Sequence, residues 1–213
     1  MTSGSPIDSA AAPNAALAPP PLILFDIDDV LCLDSPCGSF DAVAAVRGRH
    51  VNPAAVYGQL FASGAVRALR LVHDATAGTP RWVITSTWRE LLSREELCAI
   101  FDHSGLGFVA DRLHEGEQWC TPPKFGRSRR VDEIAEWLDR YHQGEPFAII
   151  DDTLSGASLV SALESAAHPF AGRVVLCQEN VGLTADHVRP IVQALRRSLA
   201  ACGLAASDTG AAR

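Results

Sequence analysis

Short apolar runs in this chain lead straight into side chains that could do chemistry. Leu22 to Phe25 is followed by Asp26, Ile27, Asp28 and Asp29, and Phe147 to Ile150 by Asp151 and Asp152. Arg81 to Ile84 is followed by Thr85, Ser86, Thr87, Trp88 and Arg89, and the later segment Thr121 to Arg130 supplies Lys124, Arg127, Arg129 and Arg130. One aspartate after a strand is ordinarily a turn former, because its carboxylate bonds to nearby backbone amides. Acidic pairs on two strands of the same sheet repel, and such repulsion calls for a cation. With oxygen donors alone, and no His or Cys beside them, the ion to expect is a hard octahedral one that keeps its waters, magnesium before zinc. The hydroxyl cluster suits phosphoryl oxygens; it equally reads as a helix N-cap, and the two roles are compatible because a helix start attracts anions. The basic segment complements phosphate, although any single one of its charges also reads as a solvated surface group.

Positioning these groups requires strands and helices in alternation. Leu22 to Phe25, Trp82 to Ile84, Phe147 to Ile150 and Val174 to Leu176 are short and apolar, as strands buried on both faces are, and residue 108 is expected to start a further short strand. Amphipathic stretches at about 53 to 74, 90 to 103 and 128 to 142 separate them; in the last, Val131, Ile134, Ala135 and Leu138 recur at helical spacing. The alternation predicts an α/β fold with a doubly wound parallel sheet, and in such sheets ligands bind beyond the carboxyl ends of the strands. The acids and hydroxyls fall at those ends. The segment from about 32 to 58, with Cys37, Gly38, Phe40 and His50, has no strong periodicity and reads as a flap or small cap.

Composition narrows the class. The chain has 213 residues, 47% of them hydrophobic, enough for one domain with a filled core, expected over residues 21 to 203. Residues 1 to 20, rich in Ala and Pro, and residues 204 to 213 are expected to be disordered ends. A net charge of -7 and a pI near 5.4 argue against indiscriminate binding to nucleic acid or anionic membrane. The cysteines, Cys32, Cys37, Cys98, Cys120, Cys177 and Cys202, show no paired CxxC spacing and read as reduced packing residues. Neither a secretory signal nor a long apolar span is recognisable, so a cytoplasmic location is expected. His50, His73, His103 and His114 have no partner spacing and read as packing or surface groups. Trp88 and Arg89 suit a nucleotide stack or clamp, but a tryptophan that begins a helix is more often core.

Taken together, DxDxV (Asp26, Asp28, Val30), the strand ending in Thr85 and Ser86, the basic residue before a helix and the strand ending in DD resemble, in order, the four motifs of the haloacid dehalogenase (HAD) superfamily. A narrower resemblance, to the HAD domains of "Swiss Army Knife" RNA-repair proteins, rests on ITSTWR (Ile84 to Arg89), RVDEIAEWL (Arg130 to Leu138), IIDD (Ile149 to Asp152) and VGLT (Val181 to Thr184). It implies a HAD-like Rossmannoid core with a minimal cap. It also implies attack by Asp26 on phosphorus to give an aspartyl phosphate, with Asp28 as acid and then base. Mg2+ would be held by Asp26, the Asp28 carbonyl, and Asp152 or Asp151; Thr85 or Ser86 would contact the phosphoryl oxygens. Helix alignment favours Arg130 as the third-motif cation, whereas the superfamily's more usual lysine favours Lys124. A short cap, by fold analogy, leaves room for a bulky phosphate.

The expected function is therefore a magnesium-dependent phosphohydrolase acting on a phosphorylated small molecule or a nucleic-acid end, with an RNA-repair protein as a candidate partner. A 5'-nucleotidase-like phosphatase and a non-catalytic binding module of the same fold are the alternatives; the second is opposed by the presence of both Asp26 and Asp28. Dehalogenation is disfavoured, since displacement at carbon needs neither magnesium nor the second acidic pair.

Overall fold

In the computed structural model, residues 19–122 and 129–196 are described. The predicted arm and tail, and Lys124, Arg127 and Cys202, lie outside the described residues, apart from Pro19 and Pro20 at the end of the arm.

Strands β1 (Leu22–Phe25), β2 (Arg81–Ile84), β3 (Phe147–Asp152) and β4 (Val174–Cys177) form a parallel sheet in the order β2-β1-β3-β4. The chain moves outward from β1 to β2 and then returns across β1 to lay down β3, so the order reverses between β1 and β3. Crevices at such reversals are where open α/β sheets bind ligands. Every strand alternates its apolar side chains between two cores. Ile23, Phe25, Trp82, Ile84, Ala148 and Ile150 face one, and Leu22, Leu24, Val83, Phe147 and Ile149 face the other.

The first core is covered by α3 (Ser63–Ala75), α5 (Arg94–His103) and α9 (Ala185–Leu195), through Leu69 and Val72, Ile100 and Phe101, and Ile191 and Leu195. The second is covered by α7 (Arg130–Tyr141), through Ile134 and Trp137, and by the short α8 (Val160–Glu164), through Ala162. The single turn α4 (Trp88–Leu91) precedes α5, and Ser93 and Glu96 close a capping box at the start of α5, a Ser-x-x-Glu signature readable in the sequence.

The structure departs from expectation at several points. Residue 108 begins no strand: Gly107–Ala110 is one helical turn, α6, and Phe108 packs edge-on against Trp82 and beneath Arg70. A four-residue apolar run suits either conformation, and burial against Trp82 selects the helix. The free edge of β2 is met instead by single bridges from Leu113 and Cys120. The 53 to 74 stretch is split into α2 (Pro53–Gln59) and α3, because Leu60 and Phe61 turn into the core and the Ala62 amide donates to the Leu31 carbonyl. The 32 to 58 segment is largely helical: α1 (Ser39–Val46) and α2 pack on each other and on α5.

Candidate active site

β1 ends at Phe25, and the ladder persists one residue further on both sides. The Asp26 amide donates to the Ile150 carbonyl and the Thr85 amide to the Phe25 carbonyl, so Asp26 stands between the tips of β2 and β3. The chain then folds tightly, with the Leu31 and Cys32 amides both donating to the Ile27 carbonyl and Asp29 at φ 52°. Asp29 faces away from chemistry: its carboxylate accepts from the Asn180 amide at 2.7 Å and staples this turn to the loop after β4. Gly182 makes the second staple. At φ 71° it lies so close to the turn that a Cβ would sit 2.9 Å from the Val30 carbonyl oxygen, the same oxygen that accepts from the Leu183 amide. The VGLT motif is thereby given a physical role.

β3 runs two residues past its apolar stretch. Asp151 and Asp152 remain in register with Leu176 and Cys177 and are almost fully buried. The Asp152 carboxylate accepts from the Leu154 and Ser155 amides at 2.6 and 2.9 Å, which ties the following loop back over the strand end. Gly156 permits that return, since a Cβ there would meet the Asp152 carbonyl oxygen at 2.5 Å. The loop's Ser158 hydroxyl then accepts from the Val131 amide and caps α7, the helix that carries Arg130.

Arg130 is the hub. It enters from the first turn of α7, donates to Asp26 at 2.7 Å and to Glu133 at 3.2 Å, and brings Nε within 2.9 Å of Asp151 Oδ2. The Asp151 contact is an ion pair whose N–H does not point along it, and Asp151 Oδ2 accepts no hydrogen bond among the described residues. Glu133 is shared with Arg89, whose guanidinium also donates to the Thr85 and Ser86 carbonyls at 2.7 and 2.6 Å. Burial, then the nearby Asp26 charge, push the Asp151 carboxyl well above the usual carboxylate range, against the pull of Arg130. Asp26, Asp151 and Glu133 outweigh the cost of burial for Arg130 and raise its pKa further.

Asp28 differs in kind. Its Oδ1 accepts from the Trp88 indole Nε1 at 2.7 Å, while Oδ2 has only a 3.5 Å contact with the Thr87 hydroxyl. Burial raises its pKa from 3.8 to about 6; the Trp88 bond opposes the rise and the Asp26 charge adds to it. Thr85 and Ser86 are both fully buried at the tip of β2. The Ser86 hydroxyl accepts from the Trp88 amide at 3.4 Å, whereas the Thr85 hydroxyl has no hydrogen-bond partner among the described residues.

One carboxylate oxygen each from Asp26, Asp151 and Asp152 lies within 4.8 Å of the others. Asp28 contributes its carboxylate to a different group, with Cys32 and Asp34. Around the first group, the buried carboxyl groups of Asp26, Asp151, Asp152 and Glu133 outnumber the guanidinium groups of Arg89 and Arg130 among the described residues. An all-oxygen donor set with more carboxyl groups than cations and a buried oxygen lacking a hydrogen bond fits a hard divalent cation.

The predicted site residues Asp26, Asp28, Thr85, Ser86, Asp151, Asp152 and Arg130 thus converge on one end of the sheet. Arg129 stays at the surface, paired with Asp132. Trp88 and Arg89 are not a nucleotide clamp: Trp88 is fully buried and Arg89 is engaged by main-chain carbonyls and Glu133. Glu133 was missed, though its i,i+3 spacing from Arg130 was a usable signal. The described cysteines are free, and burial lifts Cys32 and Cys177 to about 12 and Cys120 to about 11, which keeps them as thiols. His73, His103 and His114 pack against Phe108, Tyr57 and Trp137.

A parallel sheet with two acidic strand tips, a hydroxyl-bearing tip and a buried cation between them is the arrangement of a HAD-type hydrolase core. The chain belongs to the family described as the HAD domain in Swiss Army Knife RNA repair proteins, whose model matches residues 22–188. No curated protein and no solved structure matches the chain. No helix among the described residues is long and apolar enough to cross a membrane.

Proposed function

We propose that this protein is a magnesium-dependent phosphomonoester hydrolase working through an aspartyl phosphate on Asp26. The observation that carries the reading is the convergence of Asp26, Asp151 and Asp152 around Arg130, with Asp28 alongside on its own hydrogen bond. A carboxylate of Asp26 attacks phosphorus, the bond to the leaving oxygen breaks, and Asp28 gives that oxygen a proton. Water then attacks the aspartyl phosphate while Asp28, now ionised, takes the water's proton, and phosphate departs with Asp26 restored. With a pKa of about 6, Asp28 exchanges a proton readily near neutral pH.

Arg130 holds Asp26 in place and balances charge at the strand tips, which supports it rather than Lys124 as the third-motif cation. The partnerless Thr85 hydroxyl supports Thr85 over Ser86 as the group that contacts phosphoryl oxygens. When bound by Asp26, Asp151 or Asp152 and the Asp28 main-chain carbonyl, Mg2+ would offset the repulsion between carboxylate and phosphate. Family membership supports nucleotides or nucleic-acid ends as the substrate class and an RNA-repair protein as partner; the absence of a membrane-spanning helix among the described residues is compatible with the cytoplasm.

The test is phosphate release from p-nitrophenyl phosphate, nucleotides and 5'- or 3'-phosphorylated oligonucleotides, with and without magnesium. Wild type is expected to turn over only with magnesium, and Asp26→Asn to lose at least about 10³-fold in rate. A wild type that binds magnesium but turns over none of these substrates belongs to the binding-module reading instead.

A further inference from the structure

Of the fully buried tryptophans, Trp82, Trp88 and Trp137, each uses its indole N–H differently. That of Trp82 has no partner among the described residues, and that of Trp137 donates to the Gln118 carbonyl at 3.0 Å. Trp88 donates to Asp28 Oδ1 at 2.7 Å, the shortest bond that carboxylate makes. The ring is fixed on both sides of this bond. It packs on Phe61, with centroids 6.1 Å apart, and its amide is held by the Ser86 hydroxyl. The turn before it is clamped by Arg89 through the Thr85 and Ser86 carbonyls, and Arg89 is clamped in turn by Glu133. The hydroxyls at the tip of β2 and the indole that meets Asp28 therefore form one braced unit.

We infer that Trp88 is a positioning residue for Asp28: its indole N–H holds Oδ1 and leaves Oδ2 as the oxygen that exchanges a proton with the reacting group. An indole N–H can only donate, so the oxygen it holds must act as acceptor. The Thr87 contact to Oδ2, at 3.5 Å, is too long to compete. In the first step the Oδ2–H bond breaks, the proton passes to the leaving oxygen, and that oxygen keeps the electron pair of the broken P–O bond. This inference rests on the proposed phosphatase reading and adds to it a group that does not touch the substrate.

A leaving group that departs well without a proton separates positioning from general damage. Trp88→Phe keeps an aromatic ring in the slot and removes the donor. On phenyl phosphate, whose leaving oxygen needs the proton, kcat is expected to fall about 10- to 100-fold with KM little changed, a fraction of what a general acid supplies. On p-nitrophenyl phosphate the fall is expected to be under about threefold, because the same contribution is barely needed there. Equal losses on both substrates, or none on phenyl phosphate, overturn the inference. Should Trp88→Phe fail to fold, the hydrogen bond is read in proteins that keep Trp88: the indole N–H proton resonance is compared between wild type and Asp28→Ala. An upfield shift with faster solvent exchange in Asp28→Ala is expected, and an unmoved resonance overturns the inference. A wild type inactive on both aryl phosphates and on the nucleotides and oligonucleotides would instead remove the phosphatase reading itself, whatever the resonance shows.

Discussion

At the tip of β3 both acids stay inside the sheet; at the tip of β1 Asp26 keeps a last ladder bond and Asp28 lies beyond it. Asp151 and Asp152 keep their ladder partners on β4 and are almost wholly buried, and the loop beyond them is bonded back onto Asp152. Asp26 and Asp28 belong to a tight turn, and Asp28 is only partly buried, held at one oxygen by a side chain from another segment. The first pair is fixed by backbone, whose geometry cannot adjust without unzipping a strand. In the second, Asp26 has a ladder bond and the Arg130 pair, but Asp28 is fixed by a side chain, which can respond when charge moves. On the proposed function, Asp151 or Asp152 of the rigid pair would hold the metal and Asp28 of the adjustable turn would transfer the proton, each in the region mechanically suited to it.

Removing the cation that joins the two pairs gives the largest expected effect. Arg130→Met leaves Asp26, Asp151 and Glu133 as buried anions with less compensation, and urea unfolding at pH 7 is expected to show a loss of about 3–5 kcal/mol. An unchanged midpoint would mean that Arg130 does not bridge the two pairs.

The rigid pair can be tested through the proposed magnesium site. Magnesium at about 100 times its dissociation constant stabilises a folded protein by about 2.7 kcal/mol. Thermal unfolding of wild type is expected to shift upward accordingly, whereas Asp152→Asn loses most of that shift. An equal shift in both proteins would take Asp152 out of the metal site.

The adjustable pair should show the smallest effect and the opposite sign. Folding raises the Asp28 pKa from 3.8 to about 6, so the ionised group costs stability above pH 6, and the cost disappears below pH 3.8, where the group is protonated in both states. In metal-free buffer at pH 7, Asp28→Asn is expected to be more stable than wild type by about 1–2 kcal/mol, allowing for solvent screening of a partly exposed group. The two proteins should converge as pH approaches 4. A less stable Asp28→Asn at pH 7 would mean that the Trp88 bond to the ionised carboxylate outweighs its desolvation.

Much of this arrangement was legible in the chain, for reasons that particular residues illustrate. Leu22–Phe25 was read to the residue because an unbroken apolar run is what a doubly covered central strand requires. The same rule stopped β3 at Ile150, two residues short, since burial of Asp151 and Asp152 depends on Arg130, which lies on a separate helix, and on the backbone amides of the loop that follows. Periodicity merged α2 with α3 because Leu60 and Phe61 continue the apolar pattern while leaving the helix. The strand tips showed which groups belong to the site, but not that Trp88 would turn its polar edge to Asp28. That outcome depends on how α3, the turn after β2 and Phe61 pack, and nothing local encodes it.

The staples on the β1 turn also bear on where the molecule can be altered. Asp29 bonds the Asn180 amide and Gly182 nests against Val30, so the segment between β4 and α9 is a brace for the nucleophile's own loop. Loop grafts and domain insertions there would be transmitted to Asp26 through the turn that follows it. The stretch between α8 and β4 enters the sheet at the other end of β4, and its exposed residues Ser165, Ala166 and Ala167 are where an added module would be least felt by the chemistry.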